Sequence, residues 1–293
     1  MEETCYSLHP SHASAELILM AHRLFEGKEH AVSYQKYRLS PSEQLIGEIL
    51  TFLEKKKVRP FGLAADVGCG SGQGTIRLGP HFLQVVGMDV SPAQLEMARA
   101  CASAPNISYR QCPAEELPLE DGSVDLVTAM SAAHWFDRPR FLAEAFRVLR
   151  PGGCLALLNY TLDMELEYRD CSQELNHICR ELYSAIWPYR STILGPDSTI
   201  LYKEMFDSIP YPEKEWHDCI SVKHSIPVSS YIGMVESFSN YQTLLEKKPE
   251  EARKLSQDVR DRLLAVMKVS SPETEVGLVV KYYCLLARKP DVS

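Results

Sequence analysis

The stretch LAADVGCGSGQGT, residues 63–75, limits the fold of this chain more than any other part of its sequence. Glycines stand at positions 68, 70, 72 and 74, directly after an apolar run that ends near Asp66. Glycine loses more conformational freedom on folding than other residues, so this density indicates positive backbone dihedrals or close approach to a ligand. The run GLAADV predicts a core strand, and GTIRLGPHF predicts a short helix that ends at Gly79-Pro80. A strand, a glycine turn and a helix N-terminus together favour a nucleotide-like ligand over an empty loop.

Apolar runs alternate with helix-like stretches from about Ala64 to Tyr160. Ser91-Pro92 is a good N-cap and first-turn pair for one helix, and Pro151-Gly152-Gly153 predicts the end of another. Strands and helices that alternate at this spacing imply βαβ units, so we expect an α/β fold with a doubly wound, mostly parallel sheet. The predicted strands are LAADVG, QVVGMDVS, ISYRQCP, VDLVTAMS and CLALLNYT, and the predicted helices are SPAQLEMARACASA and PRFLAEAFRVLRPGG.

The flanking segments differ from this core, and we expect residues 1–293 to form a single domain with three parts. Residues 1–57 read as an N-terminal helical cap, 60–160 as the ligand-binding core, and 161–293 as C-terminal strands with a helical insertion over the substrate site. EWHDCISVKHSI and VGLVVKYYCLLARK predict strands, and the stretch between them predicts two helices broken near Pro249, resembling a lid. Within it, Tyr231, Met234, Phe238 and Tyr241 recur at about helical spacing, which is more typical of core than of pocket.

Composition excludes several classes of protein. The chain has 293 residues and a formal net charge of −8, with no extended basic run, so a nucleic-acid surface is not expected. Nine cysteines without a CxxC pair or zinc spacing indicate reduced thiols, a cytoplasmic location and no metal site. The N-terminus lacks the features of a signal peptide, and no apolar run approaches the ~20 residues of a membrane helix.

The glycine pattern distinguishes two cofactor classes. A dinucleotide fingerprint requires G-x-G-x-x-G, but the third position is Gln73 when counted from Gly68 and Thr75 when counted from Gly70. Asp66 lies two residues before the first glycine, where a carboxylate would repel a pyrophosphate and attract a cation. S-adenosylmethionine carries a sulfonium, an amino-acid end and no phosphate, so the pattern favours it over NAD. Asp66 could equally cap the glycine turn.

The second predicted strand ends at Asp89 and Val90, about 20 residues after the glycine turn. An acid in this register can accept hydrogen bonds from ribose hydroxyls, and we place Asp89 and Val90 with Gly68, Gly70 and Gly72 among the cofactor-binding residues. The alternative is that Asp89 only caps the helix that follows Ser91-Pro92.

The segments DVGCGSGQGT, VVGMDVSPAQLEMAR, CPAEELPLEDGSVDLVTA and RVLRPGGCLAL together resemble a class I S-adenosylmethionine-dependent methyltransferase over roughly residues 60–160. The resemblance implies a Rossmann-like methyltransferase fold with S-adenosyl-L-methionine as cofactor and S-adenosyl-L-homocysteine as product. It also implies that Ala114 and Glu115 flank the adenine base, with Glu115 near its exocyclic amine.

TAMSAAHWFD and the N-terminal YQKYRLSP are similar to a small-molecule subfamily that includes trans-aconitate methyltransferase. Those proteins often carry glutamine at the position of Ser131, so the shorter serine implies a reshaped pocket floor beside the cofactor. The resemblance also implies an N-terminal segment that folds over the cofactor, with Tyr37 and Arg38 facing the active site. Arg38 could hold a carboxylate in a bidentate pair, or it could lie on a solvated helical face.

The segment SAAHWFD follows the fourth strand, at the sheet edge where open α/β folds bind ligands. His134 there could be a base, a donor to an acidic substrate or a packed imidazole. Trp135 and Phe136 could line the cavity, where their ring faces would attract a sulfonium. Methyl transfer is an in-line displacement that depends mainly on alignment, although amine or hydroxyl acceptors also need a base.

The leading hypothesis is an enzyme that methylates a small molecule, with a carboxylate as one candidate acceptor. The alternatives are a methyltransferase acting on protein or RNA and a non-catalytic S-adenosylmethionine-binding protein. An NAD-dependent oxidoreductase is disfavoured by Gln73 and Asp66.

Overall fold

The computed structural model describes Tyr37 and residues 39–101, 104–190 and 197–291. Eight strands in this part of the chain form one sheet, flanked by nine α-helices. The strands are β1 (Phe61–Val67), β2 (Phe82–Asp89), β3 (Ile107–Gln111), β4 (Val124–Met130), β5 (Leu149–Tyr160), β6 (Glu165–Glu167), β7 (Lys214–Pro227) and β8 (Glu275–Arg288). The helices are α1 (Glu43–Glu54), α2 (Gln73–Leu78), α3 (Pro92–Ala100), α4 (Arg138–Val148), α5 (Ser172–Ile186), α6 (Ser198–Ser208), α7 (Val228–Glu236), α8 (Ser239–Lys247) and α9 (Pro249–Met267).

The sheet confirms the doubly wound α/β fold. Strands β1 to β5 pair in parallel in the order β3-β2-β1-β4-β5, and β8 joins β5 antiparallel. Strand β7 pairs with the other edge of β8, and the short β6 pairs with β8 beyond the end of β5. The chain winds outward from β1 to β3 and then returns to β4. The carboxyl ends of β1 and β4 therefore form the switch point at which such sheets bind ligands.

Helices cover both faces of the sheet and bury two apolar clusters. One cluster contains residues of α1, α5 and α7 to α9, and the other contains residues of α4 and α6. Local sequence sets the helix ends as expected: the Ser91 hydroxyl accepts from the Gln94 N–H at 3.3 Å, and α2 stops before Gly79-Pro80. Among the described helices, none combines the length and apolar character required to cross a membrane.

Two boundaries differ from those predicted. Strand β5 begins at Leu149, so Pro151-Gly152-Gly153 lies inside the strand and not before it. Gly152 has φ +72°, and the register with β4 shifts between Val124 and Leu126, so an irregularity in the ladder accommodates the turn residues. The insertion after β7 contains three helices, because the chain breaks at Ser237-Phe238 as well as near Pro249.

A buried arginine joins three parts of the fold. Arg288, at the end of β8, is 1% exposed and donates to the carbonyl oxygens of Gly152 (2.9 Å) and Phe52. Its guanidinium lies over the Phe52 ring, 4.6 Å from the centroid, and the Glu213 carboxylate lies 2.9 Å from its Nε. Strand β8 is thereby fixed to α1, to β5 and to the start of β7.

We expect Arg288→Met to lower the free energy of unfolding by about 2–4 kcal/mol, because two buried carbonyl oxygens lose their donor. Lys223→Met is the matched control, since Lys223 pairs with Glu167 at the surface and exposed pairs contribute about 0–1 kcal/mol. Urea unfolding of both variants measures the difference. Equal losses in the two variants would contradict a structural role for the buried guanidinium.

Candidate active site

The glycine turn joins β1 to α2 at the carboxyl edge of the sheet. The Gly70 N–H donates to Asp89 Oδ2 at 2.8 Å, and the Ser91 N–H donates to Asp89 Oδ1 at 2.8 Å. Asp89 therefore clamps the turn to the end of β2. Asp89 thus contacts both the turn backbone and the start of α3. Asp66, the other candidate cap, bonds to two threonine hydroxyls.

Glycine is required at the turn for reasons of both conformation and space. Gly68, Gly70 and Gly72 have φ values of +68°, +54° and +83°, a region that other residues rarely adopt. A Cβ on Gly68 would lie 2.5 Å from Ala132 Cβ, and one on Gly72 would lie 2.4 Å from Tyr109 Oη. Gly68 thus lets the turn approach the loop after β4, whereas Gly72 gives room to a tyrosine of β3.

Asp66, the last residue but one of β1, is a buried acid that is 1% exposed. Its Oδ1 accepts from the Thr128 hydroxyl at 2.8 Å, and its Oδ2 accepts from the Thr75 hydroxyl at 2.6 Å. Burial raises the pKa of Asp66 to about 6, although both hydroxyl contacts oppose the shift. The carboxyl is thus held by side chains of β4 and α2.

Two chambers open on either side of the turn and share Gly68, Gly70 and Ser131 in their walls. Chamber one is also lined by Asp89, Val90, Gln94, Cys112, Pro113, Ala114, Glu115, Ala132, Trp135 and Phe136. Chamber two is also lined by Leu39, Pro41, Asp66, Cys69, Ser71, Gln73, Gly74, Met130, Leu158, Tyr160, Met164, Met234, Val280 and Tyr282.

The charges in these walls have one sign. Asp89 and Glu115 face chamber one and Asp66 faces chamber two, and no Lys, Arg or His lines either chamber within the described part of the chain. A pyrophosphate requires cationic or clustered N–H donors, so this set of side chains does not fit a dinucleotide. It does fit a ligand with hydroxyls and positive charge. The described residues also contain no cluster of His, Cys, Asp and Glu arranged to hold a metal ion.

Glu115 is 5% exposed at one wall of chamber one. Its Oε1 accepts from the Asp137 N–H at 2.7 Å, and burial raises its pKa above the usual range. Phe136, on the same wall, packs edge-on against Phe141 with ring centroids 4.8 Å apart. The helix that begins after Asp137 therefore holds an acid and an aromatic ring at one end of chamber one.

Ser131 lies where the two chambers meet. Its φ of +59° is unusual for a residue with a side chain, and its N–H donates to the Leu158 carbonyl at 2.7 Å. Strained backbone of this kind is concentrated at functional sites. This conformation and Gly68 together determine the width of the junction.

Three described residues of the predicted site, His134, Tyr37 and Gly72, are not among those that line the chambers. His134 lies in the short helical turn after β4, with its Nδ1 3.5 Å from Tyr202 Oη and its ring 5.3 Å from that of Trp135. The Tyr37 ring packs on α7 at Gly233, where a Cβ would lie 2.7 Å from it. Arg38, the other residue predicted to face the active site, lies outside the described residues.

Sequence reasoning did not identify much of the wall of chamber two. Its apolar residues come from segments far apart in the chain, so no local motif marks them. Met234 had been assigned with its helical stripe to the core, and it is indeed buried while also facing the chamber. In chamber one, Cys112 and Pro113 precede Ala114 in the segment already singled out, whereas Gln94 was missed.

Comparisons with known proteins agree with this geometry. A family model described as a methyltransferase domain matches residues 65–157. A protein of Dictyostelium discoideum named as a methyltransferase is 28% identical over 88% of this chain and 92% of its own length. The trans-aconitate 2-methyltransferase of Deinococcus radiodurans is 41% identical, but over only 34% of this chain and 38% of its own length. Among solved structures, one described as a type II methyltransferase from Anaeromyxobacter dehalogenans has a TM-score of 0.68 and 24% identity, covering 84% of this chain and 97% of that one.

The fold and the site together define an open α/β protein with acidic chambers at its switch point. Residues 65–157 match a methyltransferase domain, and the chain is an S-adenosylmethionine-dependent methyltransferase with S-adenosylmethionine as methyl donor.

We expect Gly68→Ala to weaken binding of S-adenosylhomocysteine by about tenfold or more, because overpacking costs roughly 1–3 kcal/mol and the new Cβ meets Ala132 and Phe136. Gly122→Ala is the control: it also has a positive φ, of +62°, but its Cβ would have no contact closer than 3.9 Å. Titration calorimetry on both variants separates crowding of the chamber from backbone strain. Equal weakening by the two changes would contradict a steric role for Gly68.

The raised pKa of Asp66 has a consequence for stability. The folded chain favours the protonated carboxyl of Asp66. Its contribution to the free energy of unfolding is therefore present at low pH and is lost as pH rises through about 6. Asp66→Asn cannot ionise and avoids this loss. We therefore expect the stability of D66N relative to the unmodified chain to increase by about 2–3 kcal/mol between pH 4 and pH 7.

Thermal or urea unfolding at the two pH values measures this change. Asp121→Asn, which replaces an acid whose side chain is 81% exposed, is the control and should show little change with pH. A difference between D66N and the unmodified chain that stays constant from pH 4 to pH 7 would contradict the shifted pKa.

Proposed function

We propose that the chain transfers the methyl group of S-adenosylmethionine to a small molecule held in chamber two. The observation that carries this proposal is the second chamber itself, which meets the first at Gly68, Gly70 and Ser131 and has a mainly apolar wall. Its described lining residues come from the glycine turn, β4, β5, α7 and β8 at once, as expected of a concave pocket for a small acceptor.

We assign the cofactor to the junction and to chamber one. Asp89, beside Val90 at the end of β2, would accept from the ribose hydroxyls. Ala114 and Glu115 would flank the adenine, together with Trp135 and Phe136. Gly68, Gly70 and Ser131 would let the backbone approach the sulfur.

The two remaining cofactor residues act at the methionine end. Asp66 would attract the ammonium group, because its buried carboxylate is the nearest negative charge facing chamber two. Gly72 acts indirectly, as the residue before α2 that makes room for Tyr109. When bound, the cofactor supplies an electrophilic methyl group on a sulfonium.

The contribution of the protein to the reaction is alignment and exclusion of water. The apolar residues around chamber two leave little space for water beside a bound acceptor, and the narrow junction restricts the direction of approach. Holding two reactants in such a geometry can lower a barrier by about 7–11 kcal/mol. The roles of His134, Tyr37 and Arg38 remain predictions. His134, whose Nδ1 lies 3.5 Å from Tyr202 Oη, would support the neighbouring ring of Trp135 directly.

The identity of the acceptor is a separate part of the proposal. A carboxylate is one candidate, supported by the partial similarity to the trans-aconitate 2-methyltransferase. Such an acceptor requires a cation, and the described wall of chamber two contains none. Arg38 is the candidate that the sequence offers for that role.

We further propose that residues 161–293 act as the substrate-binding part of a single domain, because Met164, Met234, Val280 and Tyr282 all face chamber two. A cytoplasmic location is proposed from the cysteines, since eight of them are free thiols in the described residues.

We expect Met234→Trp to abolish methylation of small molecules while leaving binding of S-adenosylhomocysteine within about twofold, because a bulky ring would fill chamber two but not chamber one. Ile200→Trp is the control, because Ile200 lies on α6 and is 49% exposed. The assay incubates each protein with methyl-labelled donor and a metabolite extract, and follows the labelled products by chromatography.

Label confined to proteins or RNA would contradict the small-molecule proposal. Unchanged small-molecule labelling by M234W would contradict the assignment of chamber two as the acceptor site.

A further inference from the structure

We infer that the acceptor is an uncharged, apolar small molecule whose accepting group is a thiol. This inference rests on the proposed function, because it concerns the molecule that occupies chamber two. It follows from the composition of the wall, from its charge and from the bases that the described residues make available there.

The part of chamber two away from the glycine turn is apolar and buried. Leu158, Met164, Met234 and Val280 contribute to it, with exposures of 2%, 4%, 1% and 0%. Tyr160 and Tyr282 add two rings packed edge-on at 5.7 Å. Thioether and aromatic groups make favourable contacts with sulfur and with hydrocarbon, so this wall suits an apolar ligand.

The charge of the chamber disfavours anions. Asp66 is the one charged side chain among its described lining residues, so an acidic acceptor would meet that carboxylate and find no cation among these residues. A carboxylic acid with a pKa near 4 is uncharged in only about one molecule in a thousand at pH 7. A thiol with a pKa near 8.5 enters largely uncharged at the same pH.

The described lining residues of chamber two offer no evident base for an alcohol. Both oxygens of Asp66 accept from threonine hydroxyls, and His134 does not face the chamber. A hydroxyl acceptor needs a group to take its proton as it attacks. A thiol instead ionises far more readily than an alcohol does without a protein base, and the thiolate that it forms is a strong nucleophile.

The balance of charge in the reaction also favours a thiol over an amine. The thiol proton leaves to solvent, and the thiolate sulfur forms a bond to the methyl carbon. The bond between that carbon and the sulfonium breaks, and its electron pair stays with the donor sulfur. A negative and a positive charge thus become two neutral thioethers, which an apolar wall favours, whereas an amine would leave a cationic product.

A matched panel tests the inference directly. The purified chain is assayed at pH 7 with methyl-labelled donor and four compounds that share one alkyl tail: 1-hexanethiol, 1-hexanol, hexanoic acid and hexylamine. We expect kcat/KM for the thiol to exceed that for each of the others by at least about tenfold. Calorimetry in the presence of S-adenosylhomocysteine provides a readout without turnover, and the thiol should bind more tightly than the acid or the amine.

Incubation with a metabolite extract tests acceptors other than hexyl compounds, through the labelled products that form. A product whose labelled methyl group is bonded to sulfur supports the inference, and so does a higher rate for the thiol in the panel. A methyl ether, a charged product or a product that releases volatile label in mild base, as a methyl ester does, overturns it, as does a preference for the acid, the alcohol or the amine. In these overturning cases the small-molecule proposal still stands. Absence of label from every small molecule overturns both.

Discussion

The glycine-rich turn that Asp89 fixes to the end of β2 is the constraint on which the rest of the structure depends. Asp89 accepts the Gly70 N–H and the Ser91 N–H, so the ends of β1 and β2 are fixed relative to each other. Because Gly68 has no Cβ, the loop after β4 can pack directly against the turn. The two chambers exist because these segments meet there, and parallel strand order brings them to the same edge of the sheet.

The negative charge of Asp66 at this edge of the sheet favours binding of a cationic ligand but lowers the stability of the folded chain. Asp66 is buried between two threonines, and its raised pKa shows that the folded chain accommodates its negative charge at some expense. A cationic ligand would restore part of that free energy on binding. Proteins commonly retain such destabilising groups where function requires them.

Sequence patterns predicted the sheet and most of chamber one because these depend on local features. Seven of the predicted cofactor residues line chamber one: Gly68, Gly70, Asp89, Val90, Ala114, Glu115 and Ser131. The wall of chamber two could not be predicted in the same way, since Met164, Met234 and Tyr282 meet only through tertiary packing. For the same reason the sequence did not show that His134 packs toward Tyr202, because periodicity gives no direction to a loop side chain. Strand β5 was placed too late because Pro-Gly-Gly usually breaks a ladder, whereas here an irregular pairing accommodates it.

The selectivity of the glycine turn for a positively charged adenosyl ligand is tested most directly by calorimetry with three compounds. These are S-adenosylhomocysteine, its analogue without the amino group, and NADH. We expect S-adenosylhomocysteine to bind, the analogue to bind at least about tenfold more weakly because a charge-assisted contact is lost, and NADH not to bind. Tight binding of NADH, or equal affinity for the analogue, would contradict a site defined by carboxylates.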